Sequence, residues 1–266
     1  MTTPTYDPLS DFTTDSFTYQ GKTKPLYRKG SGPGVVIIHE IPGITPQVAD
    51  FARRVADAGF TTVLPVLFGT PGKPISVGYA VGVIARVCVS NEFACFAAKR
   101  SSPVTEWLRA LCRQIHAECG GPGVGALGMC LTGGFALALM VDPSVMAPVL
   151  SQPSLPFPIG QERRAAIGLS DQELGVVKER AAAGCTVLGL RFTEDGAVPP
   201  DRFATLRREL GDGFIGIEID SSPGNPHGIP RSAHSVLTAH YNDTVGHPTR
   251  DAFEKVLAHF REKLRV

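Results

Sequence analysis

The segment Gly128-Met129-Cys130-Leu131-Thr132-Gly133-Gly134 sets a cysteine among small residues, with a β-rich run before it and an apolar helical run after it. This is the pattern of a nucleophile elbow, where a sharp strand-to-helix turn presents the nucleophile and the following N–H groups can stabilise an oxyanion. A cysteine at a helix N-terminus also feels the positive end of the helix dipole, which favours thiolate. The competing reading is a buried cysteine beside glycines that only ease packing of helix on sheet. A triad needs an acid and then a histidine downstream, on loops after later strands at the same sheet edge. Asp195 is the candidate acid, in the loop 191–199, with Glu194 as its nearest rival. His234 is the candidate base, favoured by order and topology over His227 and His240. In such an arrangement Asp195 fixes the tautomer, His234 moves the proton and Cys130 attacks a carbonyl carbon.

A further carboxylate stands in His39-Glu40-Ile41-Pro42-Gly43, which ends the first buried run. Strand ends at the carboxyl edge of a parallel sheet line the ligand crevice, and the loop after this strand normally supplies the second oxyanion N–H. Glu40 could equally cap a turn or pair with an arginine.

Positioning these residues requires a sheet whose strands all end at one edge. Short β-rich runs alternate with amphipathic segments, which predicts an α/β domain with a mostly parallel sheet and helices on both faces. Continuous apolar runs at 35–38, 61–65, 124–128, 145–150 and 185–190 suit strands buried on both faces, and 214–219 alternates as a strand nearer an edge does. Residues 17–20 and 25–28 flank Gly21 as an antiparallel hairpin ahead of them. Helices are expected after the Thr45-Pro46 N-cap as far as Ala58, over 104–119, over 133–141, and over 249–264 with Phe253, Val256, Leu257 and Phe260 at helical spacing. The stretch 69–96 is interrupted by Gly and Pro and then apolar; it has no clean division into elements and is a candidate cover for the site. One continuous domain over 1–266 is expected, with 1–16 loosely ordered.

Composition narrows the function. Lys plus Arg number 26 against 25 Asp plus Glu, a net charge of +1, which argues against a broad electrostatic nucleic-acid surface. Hydrophobic residues make up 43% and charged residues 19%, enough apolar material for a sizeable core. No run approaches the roughly 18 apolar residues of a membrane span. The Thr-rich, acidic first seventeen residues do not resemble a secretory signal, so the cytoplasm is the expected compartment. The cysteines at 88, 95, 112, 119, 130 and 185 show no zinc spacing, so no metal is expected. The first four lie in helical patterns and read as small buried hydrophobes.

Taken together, His39-Glu40-Ile41-Pro42-Gly43, Gly59-Phe60 with Leu64-Pro65, Gly128-Met129-Cys130-Leu131 before two glycines, Asp195 ahead of Val198-Pro199, and His234-Ser235 resemble the dienelactone hydrolase family of α/β hydrolases. The likeness runs from about Phe17 to Leu264. It implies the α/β-hydrolase fold, a cofactor-independent hydrolase of an activated ester or lactone, and a Cys130-His234-Asp195 triad with a cysteine acyl-enzyme. It further implies that Glu40 helps control ionisation of the cysteine, and that the backbone N–H groups of Leu131 and Ile41 are the oxyanion donors. Two positions depart from the family pattern. Thr132 stands where glycine is common, and Thr238 stands where the founding enzymes carry an arginine for the substrate carboxylate. Arg86, Arg100 and Arg191 are the candidate replacements for that cation. A binding protein that keeps the fold without turnover, a thioesterase or carboxylesterase of different substrate, and a redox role for Cys130 are the alternatives. The last is weakened by the absence of a neighbouring resolving cysteine.

Overall fold

The structure is a computed structural model and describes residues 7–88, 102–155 and 160–265. An antiparallel hairpin, β1 (Thr13–Tyr19) and β2 (Lys22–Lys29), turns at Gln20-Gly21 and leads into β3 (Gly34–Ile38). Helix α1 (Pro46–Asp57), β4 (Thr61–Pro65), α2 (Val77–Cys88) and α3 (Pro103–Cys119) follow. Next come β5 (Val124–Met129), a 3₁₀ turn (Cys130–Thr132), α4 (Gly133–Leu139), β6 (Val145–Ser151) and α5 (Gln161–Ala165). The chain ends with α6 (Asp171–Ala182), β7 (Val187–Phe192), α7 (Pro200–Leu210), β8 (Phe214–Ile219) and α8 (Pro248–Leu264). The eight strands form one sheet in the order β1-β2-β4-β3-β5-β6-β7-β8, parallel from β4 through β8.

The period-two alternation of the central strands sorts the core into two layers. Val36 and Ile38 of β3 face Trp107 and Leu108 of α3 and Phe135 of α4, while Val35 and Ile37 face Phe51 of α1 and Phe253 and Phe260 of α8. The expected helices on both faces are therefore present. Thr45 caps α1 by accepting from the Val48 N–H at 3.3 Å, and Pro46 occupies the first turn, as the sequence indicated.

Several elements differ from expectation. Residues 7–16 pack rather than trail: Leu9 and Phe12 are buried, Arg53 bonds to Asp11 at 2.7 Å, and β1 begins at Thr13. The strand expected over 185–190 begins at Val187, because the Cys185 N–H still closes onto the end of α6 at the Arg180 carbonyl. Helices α6 and α7 went unread although both carry signals. Ser170 and Glu173 form a capping box, and Phe203, Leu206 and Leu210 recur at helical spacing between Pro200 and Gly211. Within 69–96, the part 77–88 is α2, and 89–96 lies outside the described residues.

Two core histidines bear on stability. His39 just beyond β3 and His259 in α8 are both buried, and burial holds each down to about 4. The folded protein thus excludes protons that the unfolded chain binds. The stability that both contribute is complete above pH 6.5 and is lost as pH falls toward 4. The buried Nε2 of His259 has no hydrogen-bond partner. We therefore expect urea midpoints to fall steeply between pH 6.5 and 4 and His259→Leu to flatten that fall; an acid slope equal to wild type in the variant would contradict the assignment.

Candidate active site

Cys130 leaves β5 with φ of 55°, a left-handed conformation that strains a non-glycine residue by about 1–3 kcal/mol. The neighbours make the turn possible. A Cβ on Gly128 would stand 2.1 Å from the Thr132 carbonyl oxygen, and one on Gly133 would stand 2.6 Å from the Pro153 Cα. Both positions therefore require glycine. Thr132, the departure from the family pattern, fits the turn through its hydroxyl. Its Oγ1 accepts the Met129 N–H at 3.0 Å and lies 2.9 Å from the Ile38 carbonyl and 2.8 Å from that of Met129, so its single proton ties the elbow to β3 or back to β5.

Adjacent strand ends bring the other groups together. The pairing Ile38 with Gly128 puts Glu40 and Cys130 level on neighbouring strands, two residues beyond each. Asp195 lies in the loop after β7 with its side chain 5% exposed; its Oδ1 accepts the Ala197 N–H at 3.0 Å, and its Oδ2 lies 2.7 Å from His234 Nδ1. Cys130 lies near enough to act with Asp195 in raising the pKa of His234. Burial alone would lower the imidazole pKa, but Asp195 and Cys130 together outweigh it and raise His234 to about 11.

The rivals are engaged elsewhere. Glu194 pairs with Arg231 at 3.2 Å. His240 turns its Nδ1 to the N–H groups of His234 and Ser235 at 3.4 and 3.3 Å, holding the loop that carries His234. His227 is exposed and stacks edge-on against His247.

Glu40 is buried, and its contacts differ from those the family resemblance implied. Its Oε2 accepts from Ser235 Oγ at 2.7 Å and Gln152 Nε2 at 3.2 Å, while Thr238 Oγ1 donates to Oε1. Three neutral donors hold the carboxylate, two on the histidine loop and one just beyond β6, and the residue in place of the founding enzymes' arginine is one of them. Gln152, fully buried with φ of 36°, also takes the Val236 N–H on its Oε1. His39 beside it donates from Nδ1 to the Glu40 carbonyl and accepts the Leu67 N–H on Nε2, each at 3.1 Å.

Two arginines brace the acid loop from within. Arg191, 2% exposed, donates to the carbonyls of Val198 and Thr193 and to Glu218. The expected role of Arg191 as a substrate cation is therefore wrong, since the guanidinium is enclosed by the loop it supports. Arg202, also 2% exposed, donates to the carbonyls of Ala166, Pro153, Ala197 and Arg163. Burial lowers it to about 10, with Asp195 acting in the opposite sense. Of the other candidate cations, Arg86 is exposed on α2 and Arg100 lies outside the described residues.

Leu131 is the second residue of a 3₁₀ turn whose leading N–H groups have no intrahelical acceptor, and Ile41 sits in the tight turn closed by Gly43 N–H on the Glu40 carbonyl at 2.8 Å. Sequence reasoning missed Gln152, Ser154, His39 and Arg202. The first two had a signal, since Gln152-Pro153-Ser154 is a polar run just beyond a buried strand, as His39-Glu40 is. Among the described residues, no group of three or more His, Cys, Asp or Glu side chains could hold a metal ion, and no helix is long and apolar enough to cross a membrane.

An eight-stranded, mostly parallel sheet covered on both faces, with a left-handed residue on the turn from β5 to α4, defines an α/β hydrolase. The model of the dienelactone hydrolase family matches residues 22–264, and the chain belongs to that family. It is 24% identical over 192 residues to a Saccharomyces cerevisiae protein named "Putative carboxymethylenebutenolidase", an alignment covering 70% of this chain and 66%, just under two thirds, of that protein. Among solved structures it resembles one titled "Putative Dienelactone Hydrolase" from Klebsiella pneumoniae, with TM-score 0.64 and 18% identity over 94% of this chain and 99% of the other. It also resembles a thioesterase domain from the curacin biosynthetic pathway, with TM-score 0.55 and 11% identity over 93% and 99% of the two chains.

The Thr132 hydroxyl predicts a graded mutational response. Thr132→Val leaves the Met129 N–H unpaired in a buried turn and should cost about 1–3 kcal/mol, whereas Thr132→Ser should stay close to wild type. Equal losses in urea denaturation for both would assign the effect to the methyl group instead.

Proposed function

We propose that the protein hydrolyses activated carboxylic esters or lactones through an acyl-enzyme on Cys130. The observation that carries this reading is a strained cysteine on the elbow, at the same sheet edge as an imidazole that lies 2.7 Å from a buried carboxylate. Thiolate attack suits substrates with good leaving groups.

In this mechanism the Cys130 sulfur bonds to the carbonyl carbon while the π electrons move onto the carbonyl oxygen. The N–H groups of Leu131 and Ile41 receive that oxyanion. As the intermediate collapses, the C–O bond to the leaving group breaks and the His234 imidazolium gives its Nε2 proton to the departing alkoxide. For a lactone, that alkoxide stays tethered as the hydroxyl of the product. Acylation removes the thiolate charge that helps hold His234 protonated, so its pKa drops and the neutral imidazole becomes available as a base. It then takes a proton from water as the water oxygen adds to the thioester carbon. Collapse expels the thiolate and releases the carboxylic acid. Asp195 holds the tautomer throughout and stabilises the imidazolium. The alternative of a silent binding protein rests on Thr132 and Thr238, whose hydroxyls knit the elbow together and bind Glu40.

Reactivity should single out one thiol. Burial pushes the Cys112 and Cys185 thiols up, which makes both poor nucleophiles. Iodoacetamide should therefore label Cys130 first and abolish turnover in a panel of nitrophenyl esters, thioesters and small lactones. Cys130→Ala should eliminate turnover and Cys130→Ser should lose most of it. His234→Ala should lower it by about 10²–10⁴-fold with little change in melting temperature. Turnover that survives in Cys130→Ala would sink the proposal.

A further inference from the structure

We infer that Ser154 acts directly on the nucleophile, its hydroxyl donating a hydrogen bond to the Cys130 sulfur and sharing with His234 the task of holding it as thiolate. The inference rests on the reading of Cys130 as the nucleophile. Ser154 Oγ lies 3.2 Å from Cys130 Sγ, in a largely buried setting where Ser154 is 8% exposed. The same residue grips the cysteine a second time, since its N–H donates to the Cys130 carbonyl at 3.0 Å. This second bond fixes the distance between the two side chains and helps maintain the left-handed turn.

The serine is itself held in place. The preceding Pro153 packs so closely on Gly133 that no side chain fits between them, and its carbonyl accepts from Arg202 Nη1 at 2.8 Å. Ser154 therefore cannot withdraw without moving the helix start and a buried guanidinium. The direction of the bond follows from the proton inventory. In the thiolate form that attack on a carbonyl requires, the sulfur is an acceptor with several lone pairs. A thiolate has no hydrogen to give, and the serine hydroxyl has one.

The consequence falls on both halves of the cycle. A donor on the thiolate makes sulfur a better leaving group when the thioester intermediate collapses, and a somewhat weaker attacking group in acylation. The contact is thus a means of favouring deacylation, the slower half of thioester chemistry when the substrate is already activated. The charged and titratable groups near this pair among the described residues are His234 with Asp195 behind it, His240 on the histidine loop, Glu40 on the adjoining strand end and Arg202 on the Pro153 carbonyl. None of these contacts Ser154 through its hydroxyl, so removing the hydroxyl leaves them in place.

The test is a titration of Cys130 in the full chain, by iodoacetamide rate against pH and by ultraviolet thiolate absorbance corrected with Cys130→Ala. Relative to wild type, Ser154→Ala should move the thiolate midpoint up by about one pH unit, the size expected for one hydrogen bond to a charged group. Ser154→Thr, which keeps the hydroxyl, should restore most of the shift, and melting curves should show all three proteins folded. An unmoved midpoint in Ser154→Ala overturns the inference, as does an equal shift in Ser154→Thr. The titration needs no substrate, so this result is independent of whether any ester is turned over, which decides the hydrolase reading.

Discussion

The left-handed backbone at Cys130 is the constraint from which the rest of the site follows. A non-glycine residue stays at φ of 55° only where its surroundings exclude the relaxed alternatives. Here the exclusion is assembled from separate parts of the chain: bare backbone at Gly128 and Gly133, the Thr132 hydroxyl binding the turn to neighbouring carbonyls, and the Ser154 N–H on the Cys130 carbonyl. What results is a sulfur held on the turn beyond the strand, within 3.2 Å of Ser154 Oγ.

A second network joins the strand ends to the histidine loop without any cation. Glu40 gathers Ser235, Thr238 and Gln152, and Gln152 reaches onward to Val236. A buried carboxylate requires hydrogen-bond donors, and neutral ones satisfy it over short range without setting up a long-range field. The loop bearing His234 is thereby referenced to β3 and β6, the strands on either side of the one that delivers Cys130. The Thr238 position illustrates how one substitution changes chemistry, since a hydroxyl there turns inward to the glutamate.

Much of this was legible in the sequence wherever a local rule acts. The central strands announced themselves as apolar runs, α1 by Thr45-Pro46, and the elbow by small residues around Cys130. Order along the chain was enough to favour Asp195 and His234 because loops after parallel strands share one edge. What escaped was whatever depends on contacts between remote segments. Arg191 looks like any surface cation until β7 and β8 close around it, and Thr132 looks like a flaw in the motif until the β3 carbonyls arrive beside it. The packing of Leu9 and Phe12 was hidden for the same reason, as their apolar partners lie on α1 and β3.

Among the described residues Arg202 donates to main-chain oxygen alone: the carbonyls of Pro153, Ala166, Ala197 and Arg163 all converge on one guanidinium. A clamp that grips peptide groups is indifferent to the side chains those peptides carry. The surface around the candidate site can therefore diversify in sequence while its shape is kept, and new side chains can appear on these loops without first rebuilding the framework beneath them.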